Sequence, residues 1–510
     1  MYRSTDSRQL EFPDFYLPFS GQLDPGNRWV RLAALVPWEL ATTIYHDTLC
    51  EDFGAPIVAA RTALGALLIK ERLGLTDRET VEAIRENPYL QFFIGREEFT
   101  PDKPFDASLM VDFRKRFGEA GLERMAEAIA LASLPRTEST ADHSPTPEAT
   151  DTPASDKTDE PPRGKLIVDA TCAPADIRYP TDVSLLNEAR EKTDAIIDKL
   201  HEPLQGNTPR PRTYRVKARR QFVEFVKRKQ PSQRKVRQAQ KRQLGFLARN
   251  LRAIDRLLDT PEAASLAGLS RRQYKHLLVC REVHRQQQQM FDQRTHRIDD
   301  RLVSISQPHV RPIKRGKAGR DTEFGAKLSV SVVDGFSFVD RLSWDNYNEG
   351  CDLIEQIETY RRRLGCYPQS VHADTIYRTR ANRAYCQARG IRLSGPPLGR
   401  PPKQITAADK RQSRQDEAIR NRVEGKFGEG KRRYGLGRVM ARLAGTSAAQ
   451  IALTFLAMNL EQALRLLFFV LCWLLSPAAR LTPRDTRLTP SGTSPTYAAT
   501  RRETNRRWKT

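Results

Sequence analysis

The chain has 510 residues, and its 85 Lys and Arg residues exceed its 62 Asp and Glu residues, which gives a formal net charge of +23. At 39% hydrophobic it can bury a large core, so wholesale disorder is excluded. The positive charge favours a polyanionic partner, either nucleic acid or an acidic membrane surface. Seven scattered cysteines without a C-x-x-C pair are typical of a reducing compartment, which argues against a disulfide scaffold or a zinc ribbon.

No segment of the sequence is expected to act as a signal sequence or a membrane anchor. The first residues lack an apolar stretch, and the most apolar run, Leu466 to Leu475, is shorter than the roughly 20 residues that span a bilayer. We therefore expect a buried helix at this run and a cytoplasmic location. Of the two polyanions, nucleic acid remains as the expected partner.

Residues 1–135 are predicted to form an all-α domain. Apolar residues recur at helical spacing over residues 28–130. Gly74 is expected to end one helix, and Thr76 with Glu79 forms a capping box that opens the next. Short helices joined by tight turns fit a helix-turn-helix DNA-binding domain, and they fit a dimerisation module equally well.

Two segments have compositions that do not support a folded core. Residues 136–163 are rich in Thr, Pro, Ser, Asp and Glu, and we expect a disordered linker that is dispensable for chemistry. The alternative is an acidic segment that shields a basic DNA groove. Residues 477–510 lose the apolar pattern and are predicted to form a disordered basic tail.

Residues 164–476 alternate between strand and helix patterns, which predicts an α/β layer fold. Two alternating apolar runs around Asp334-Gly335 are the strongest of these signals, because this dipeptide favours a tight hairpin turn. The predicted elements in chain order are a strand from Lys165 to Thr171, a helix from about Val183 to Leu200, a helical insertion over 201–300, the hairpin, a helix ending at Gly365, a strand from Ser370 to Tyr377, a short strand near Ile391 and a helix from about Lys410.

The insertion over 201–300 is the most basic part of the chain. Between Arg210 and Arg256 there are 17 Lys and Arg residues against two acids, and apolar residues recur at helical spacing. Charges of one sign repel each other unless they are neutralised, so we favour contact with DNA phosphates over a merely solvated face. The residues predicted to make this contact are Lys227, Arg228, Lys229, Arg234 and Lys235.

Carboxylates at strand ends are the candidates for catalysis. Asp169 and Asp374 each follow apolar strand residues, near the sheet edge where α/β folds place ligands. Together with Glu424 on the last predicted helix they could hold Mg²⁺, which prefers oxygen ligands. On spacing alone the signal is weak, because a single Asp at a strand end is more often a turn or capping residue. The rival carboxylates are Asp176, Asp182, Asp334 and Glu429.

The last predicted helix resembles a known signature. Arg420, Glu424 and Lys431 have the spacing of the last three residues of the Y-R-E-K signature of DDE transposases of bacterial insertion sequences, and Glu417 stands at the position of the Tyr. The resemblance extends upstream, because Gly316 to Arg320, Glu323 to Lys327 and the hairpin look like the family's basic loop and its second and third strands. Residues 28–130 are similar to its N-terminal helical domain.

This resemblance implies a ribonuclease H-like catalytic core interrupted by the insertion. It implies Asp169, Asp374 and Glu424 as the catalytic and metal-binding triad, and Arg420 and Lys431 as contacts to the transposon ends. The expected cofactor is Mg²⁺ or Mn²⁺, bound as two ions. The expected partner is double-stranded DNA, held by a homodimer in the synaptic complex within the bacterial cytoplasm, associated with the nucleoid.

The predicted function is therefore that of a transposase, which binds the inverted-repeat ends of its element, cleaves phosphodiester bonds and joins the 3′-OH ends to target DNA. Two alternatives stay open. One is a DNA-binding regulator with an inactive core, and the other is a metal-dependent nuclease of the same fold. The presence of all three carboxylates favours an enzyme over the regulator.

Overall fold

The computed structural model describes residues 21–49, 57–134, 161–260, 265–314, 322–395 and 406–475. The predicted linker, apart from residues 161–163, and the predicted tail at 477–510 lie outside the described residues, as does the basic loop at 316–320. By their contacts, the described residues up to Leu464 belong to one compact unit, and those from Arg465 onward belong to a second.

Residues 21–134 contain the helices that the apolar spacing predicts. The helix that ends at Gly74 does so because this glycine adopts a left-handed conformation with φ of 69°. The predicted capping box is confirmed, since the Thr76 hydroxyl accepts from the backbone N–H of Glu79 and the Glu79 carboxylate accepts from the backbone N–H of Thr76. The six helices are α1 Arg28–Leu35, α2 Trp38–His46, α3 Ala60–Leu73, α4 Asp77–Glu86, α5 Pro88–Phe93 and α6 Leu109–Ser133.

One mixed sheet forms the centre of the α/β region. Its strands are β1 Lys165–Pro174, β2 Arg311–Lys314, β3 Thr322–Val333, β4 Phe336–Ser343, β5 Ser370–His372 and β6 Arg392–Leu393. The order is β2-β3-β1-β5-β6, and β4 also pairs with β3. Strand β1 is antiparallel to β3 and parallel to β5, and β6 is parallel to β5. The sequence did not predict β2.

Four helices between β1 and β2 make up the predicted insertion. The hydrophobic core of this region joins three of them, because apolar side chains of the first helix pack against those of the third and fourth. The first helix therefore belongs to this bundle, although it lies before the predicted boundary at 201. The helices are α7 Asp182–His201, α8 Arg215–Val226, α9 Gln233–Leu258 and α10 Arg271–Gln293.

The structure confirms the predicted hairpin and corrects two strands. Asp334 and Gly335, with φ of 46° and 87°, connect β3 to β4 in the left-handed conformation that this turn requires. The first strand, predicted to end at Thr171, continues to Pro174, because β3 pairs with it from Ile167 to Pro174. The strand predicted to reach Tyr377 stops at His372, and a 3₁₀ turn begins at Thr375.

The remaining helices are α11 Leu353–Leu364, α12 Arg380–Ala388, α13 Ala407–Arg433 and α14 Ala444–Leu475. Val423 and Phe427 of α13 pack into the hydrophobic core on the sheet. Within α14, the segment Ala444–Phe468 is long and apolar enough to cross a membrane, but 67% of its most apolar window is buried inside the protein, as in a core helix. The prediction of a buried helix at Leu466 to Leu475 is wrong where side chains are described, because Leu467 and Phe468 are exposed.

Candidate active site

Asp169 and Asp374 are brought together by the parallel pairing of β1 with β5. The last pair of this ladder is Ile167 with His372, and each aspartate follows its own member of that pair by two residues. Asp169 lies within β1, opposite Val330 of β3, but its strand has no β5 neighbour at this level. The gap left by the end of β5 therefore opens the sheet edge beside Asp169.

Glu424 is presented to the same edge by α13. Because Val423 and Phe427 anchor this helix in the core, the intervening Glu424 is left exposed. Arg420, one helical turn earlier, donates a hydrogen bond from Nη1 to Oε1 of Glu424 at 3.2 Å. An arginine and a glutamate thus project together from one face of the helix.

The three predicted catalytic carboxylates and the two cations predicted to contact the transposon ends all line one open cleft of about 890 Å³. They are Asp169, Asp374, Arg420, Glu424 and Lys431. Asp374 is held by its own turn, because its Oδ1 accepts hydrogen bonds from the backbone N–H and the hydroxyl of Thr375 at 2.7 and 3.1 Å. These five residues thus bring three carboxylates and two cations to the same cleft.

The four rival carboxylates do not line this cleft. Asp176 accepts a hydrogen bond from Arg438 at 2.8 Å, and Asp182 accepts one from Arg301 at 2.6 Å. Asp334 occupies the hairpin turn. Glu429 lies 3.7 Å from Lys426, three residues earlier on α13.

Sequence reasoning missed part of the opposite wall of the cleft, which includes Lys327, Tyr347 and Glu349. Lys327 donates to the Tyr347 carbonyl at 2.6 Å and pairs with Glu349. A lysine among the apolar residues of β3 is unusual for a buried strand, and this could have indicated that Lys327 lies at a functional site. Glu349 carries no such signal, because it begins a one-turn 3₁₀ helix that only the fold brings to the cleft.

Burial raises the pKa of Asp169 to about 6. The negative charges of Asp374 and Glu424 act in the same direction, whereas the hydrogen bond from the Ala170 N–H and the charge of Arg420 oppose it. The charges of Asp374 and Glu424 therefore act on Asp169 across the cleft. A cation among them would offset their repulsion.

The donor set suits a hard divalent cation, because all three side chains offer carboxylate oxygens. Within the described ranges, no three His, Cys, Asp or Glu side chains are already gathered closely enough to hold a metal ion. The residues therefore fit a magnesium or manganese site in donor type and charge, although they do not form a closed cage.

The five basic residues predicted to contact DNA from the insertion are not in this cleft. They lie at the turn from α8 to α9, are all exposed, and form no ion pair with any residue that the structure describes. They are Lys227, Arg228, Lys229, Arg234 and Lys235.

The sequence of this chain matches two families of known proteins. The family described as Transposase DDE domain matches residues 371–461, which include Asp374 and Glu424, and the family described as Transposase domain (DUF772) matches residues 18–116. The chain is also 33% identical over 167 residues to an uncharacterized protein, ORF8 in the nfe locus of Rhizobium meliloti, across 33% of this chain and 71% of that protein. No solved structure matches. These two matches support a DDE-type transposase of an insertion sequence, and transposase domains of this type indicate a DNA-cutting enzyme and imply dependence on divalent metal ions.

Proposed function

We propose that this transposase binds the inverted-repeat ends of its element, cleaves phosphodiester bonds with two divalent ions, and joins the 3′-OH ends to target DNA. The observation that carries the proposal is the single cleft lined by Asp169, Asp374 and Glu424 beside Arg420 and Lys431. Three carboxylates in one cleft would repel a phosphodiester, so the DNA substrate requires both the cations of the protein and bound metal.

Asp169, Asp374 and Glu424 would hold Mg²⁺ or Mn²⁺. When bound, two such ions activate a water or a 3′-hydroxyl and stabilise the leaving oxygen. The protein's own task is to orient the DNA. Arg420 can offer a planar pair of donors to a phosphate, and Lys431, two helical turns beyond Glu424, adds a point charge on the same side of the cleft.

We also propose the finer classification. The spacing of Arg420, Glu424 and Lys431 supports the Y-R-E-K group, with Glu417 in place of the Tyr. A ribonuclease H-like core is supported by the antiparallel strands β1, β3 and β4 followed by the parallel strands β5 and β6, with α13 packed on the sheet. We assign the all-α region at 1–135 to DNA binding or assembly, and we place the protein in the bacterial cytoplasm.

The helical insertion supplies the second set of DNA contacts in this proposal. Its exposed and unpaired cations at the turn from α8 to α9 can bind phosphates without first breaking an ion pair with a described residue. Joining two ends in one event requires two active sites, so we propose that a homodimer forms the synaptic complex.

The decisive experiment is incubation of the full chain with DNA that carries the flanks of its own gene, in Mg²⁺ or in EDTA. We expect nicking at the element ends and strand transfer in Mg²⁺ alone. Binding without cleavage in either buffer would support the inactive regulator, and cleavage that ignores the element ends would support the nuclease.

A further inference from the structure

Among the residues that the structure describes, Asp416 is the first buried residue of α13. The first turns of this helix, up to residue 415, are exposed, whereas Asp416 is only 7% exposed. Arg392 of β6 donates two hydrogen bonds to its two carboxylate oxygens, both at 2.8 Å, and Gln412 donates a third at 3.0 Å. A buried charge is therefore fully paired at the site where the helix docks.

The partner of Asp416 is tied directly to β5. Arg392 is the register partner of Ser370 in the parallel ladder between β5 and β6. The Ser370 hydroxyl is 3.0 Å from Nε2 of His372, and Nδ1 of His372 lies 3.6 Å from Oδ1 of Asp416. His372 has no exposed surface. The cluster of these four residues thus connects α13 to the last residue of β5, two positions before Asp374.

We propose that Arg392 and Asp416 are positioning residues of the active site, which hold α13 against the β5–β6 edge so that Glu424 faces Asp374. This inference rests on the proposed function, because it assumes that both carboxylates serve one reaction. Asp416 and Glu424 are eight residues apart on α13, a rise of about 12 Å along the helix, and Val423 beside Glu424 lies on the same buried face as Asp416 because seven residues make about two turns. A rotation of the helix at Asp416 is therefore carried to Glu424.

A paired arginine suits this task better than an apolar contact. The two parallel hydrogen bonds of the Arg392 guanidinium fix direction as well as distance, whereas an apolar contact allows the helix to rotate. An active site must be held to within about 10–20° of its productive geometry. Strand β6 contains only two residues, so it contributes few backbone hydrogen bonds, and the Arg392 side chain anchors it as well.

The pKa shifts of Asp416 and Arg392 agree with an ion pair between them. Burial acts to raise the pKa of Asp416, but the hydrogen bonds from Arg392 and Gln412 and the charge of Arg392 hold it below its ordinary value. The same contact raises the pKa of Arg392. Both side chains therefore remain charged at neutral pH.

The test uses the full chain with Asp416→Asn and, separately, Arg392→Lys, which keeps the positive charge but loses the paired donors. At saturating DNA we expect each to lower the cleavage rate about 10–100-fold, the usual cost of losing a residue that orients a metal ligand. DNA affinity should stay within about twofold, and Mn²⁺ affinity, measured by electron paramagnetic resonance titration, should fall about 10-fold. The double variant should lose no more than the worse single variant.

The matched control is the pair of Arg438 with Asp176, in which the guanidinium donates two hydrogen bonds to Oδ1 at 2.8 and 2.5 Å outside the cleft. Asp176→Asn should leave cleavage and Mn²⁺ affinity unchanged. Equal losses in Asp176→Asn and Asp416→Asn would overturn the proposal, as would unchanged Mn²⁺ affinity in both cluster variants. If either variant unfolds, hydrogen exchange of α13 is measured in the other variant. We expect faster exchange around Glu424, and protection equal to that of the unaltered protein would overturn the proposal.

The two proposals fail in different ways. If the unaltered protein does not cleave DNA but loses Mn²⁺ affinity on Asp416→Asn, the positioning role stands and the proposed function is wrong. If the unaltered protein cleaves and Asp416→Asn cleaves at the same rate, the proposed function stands and the positioning role is wrong.

Discussion

Asp169 and Asp374 occupy the same level of the sheet, two residues beyond the last register pair of β1 and β5. One belongs to a strand that continues, and the other to a strand that has ended. The short strand therefore leaves room beside the long one, and this difference in length makes the cleft. The arrangement places two carboxylates side by side without any bond between them, which is how a site for cations is expected to look.

We predict that Asp169→Asn, Asp374→Asn and Glu424→Gln each reduce cleavage by more than about 100-fold, the upper cost of losing an outer-shell residue. Each change removes a ligand charge at nearly constant volume, so folding and DNA affinity should be preserved. A gel-based cleavage assay in Mg²⁺, with binding measured separately, checks this. The control is Asp176→Asn, whose carboxylate pairs with Arg438 outside the cleft and should matter little. If one of these variants cleaves at the normal rate, the substituted residue does not belong to the triad.

Neutralising Lys227, Arg228 and Lys229 together to Gln should flatten the salt dependence of DNA binding. Each lost phosphate contact lowers the slope of log affinity against log salt by about 0.9, so we expect a drop of up to about 2.7. Fluorescence anisotropy between low and moderate salt measures it. As a control, Arg281 and Arg285 are already paired with Asp255 and Glu282, and their replacement should change the slope less. An unchanged salt dependence in the triple variant would show that these basic residues form a solvated surface and do not contact DNA.

Replacement of residues 136–163 by a Gly/Ser linker of equal length should leave cleavage and non-specific DNA binding unaltered. The reason is compositional, since this segment offers too few apolar residues to offset the entropy of ordering. Both activities are measured on the full chain. A marked rise in non-specific binding would show instead that the acids compete with DNA for a basic groove.

The stability of the N-terminal helices should depend on Glu71. Burial raises the pKa of this α3 carboxyl from 4.5 to about 7, against the charges of Lys70 and Arg114. The folded protein holds the Glu71 proton more tightly than the unfolded chain does. Glu71 therefore does not reduce the free energy of unfolding below pH 4.5, and it reduces it increasingly as the pH rises to about 7. At pH 8 Glu71→Gln should therefore stabilise the protein by at most about 3 kcal/mol, and at pH 4.5 it should have little effect.

Thermal unfolding of Glu71→Gln and of the unaltered protein at pH 8 and pH 4.5 checks this prediction. Glu82→Gln is a suitable control, because that side chain is partly exposed and its ion pairs are with the exposed side chains of Arg85 and Lys103. An equal shift in the melting temperature at both pH values would show that Glu71 is not the group that titrates.

Local chemistry determined the elements that the sequence predicted correctly. The capping box at Thr76 and the Asp334-Gly335 turn depend on residues within three positions of each other, so their structure could be read without knowing the fold. The same holds for Arg420 and Glu424, whose spacing of four places them on one helix face.

Only the tertiary structure decided where the strands end and which distant residues meet. Strand β1 runs past Asp169 because β3 supplies hydrogen-bond partners there, and β5 stops at His372 although its sequence continues to look extended. The pairing of Arg392 with Asp416 likewise has no local signal, since the residues lie 24 positions apart on a strand and a helix. Backbone and ionic partners that come from elsewhere in the chain follow from packing, and no pattern within a single segment contains that information.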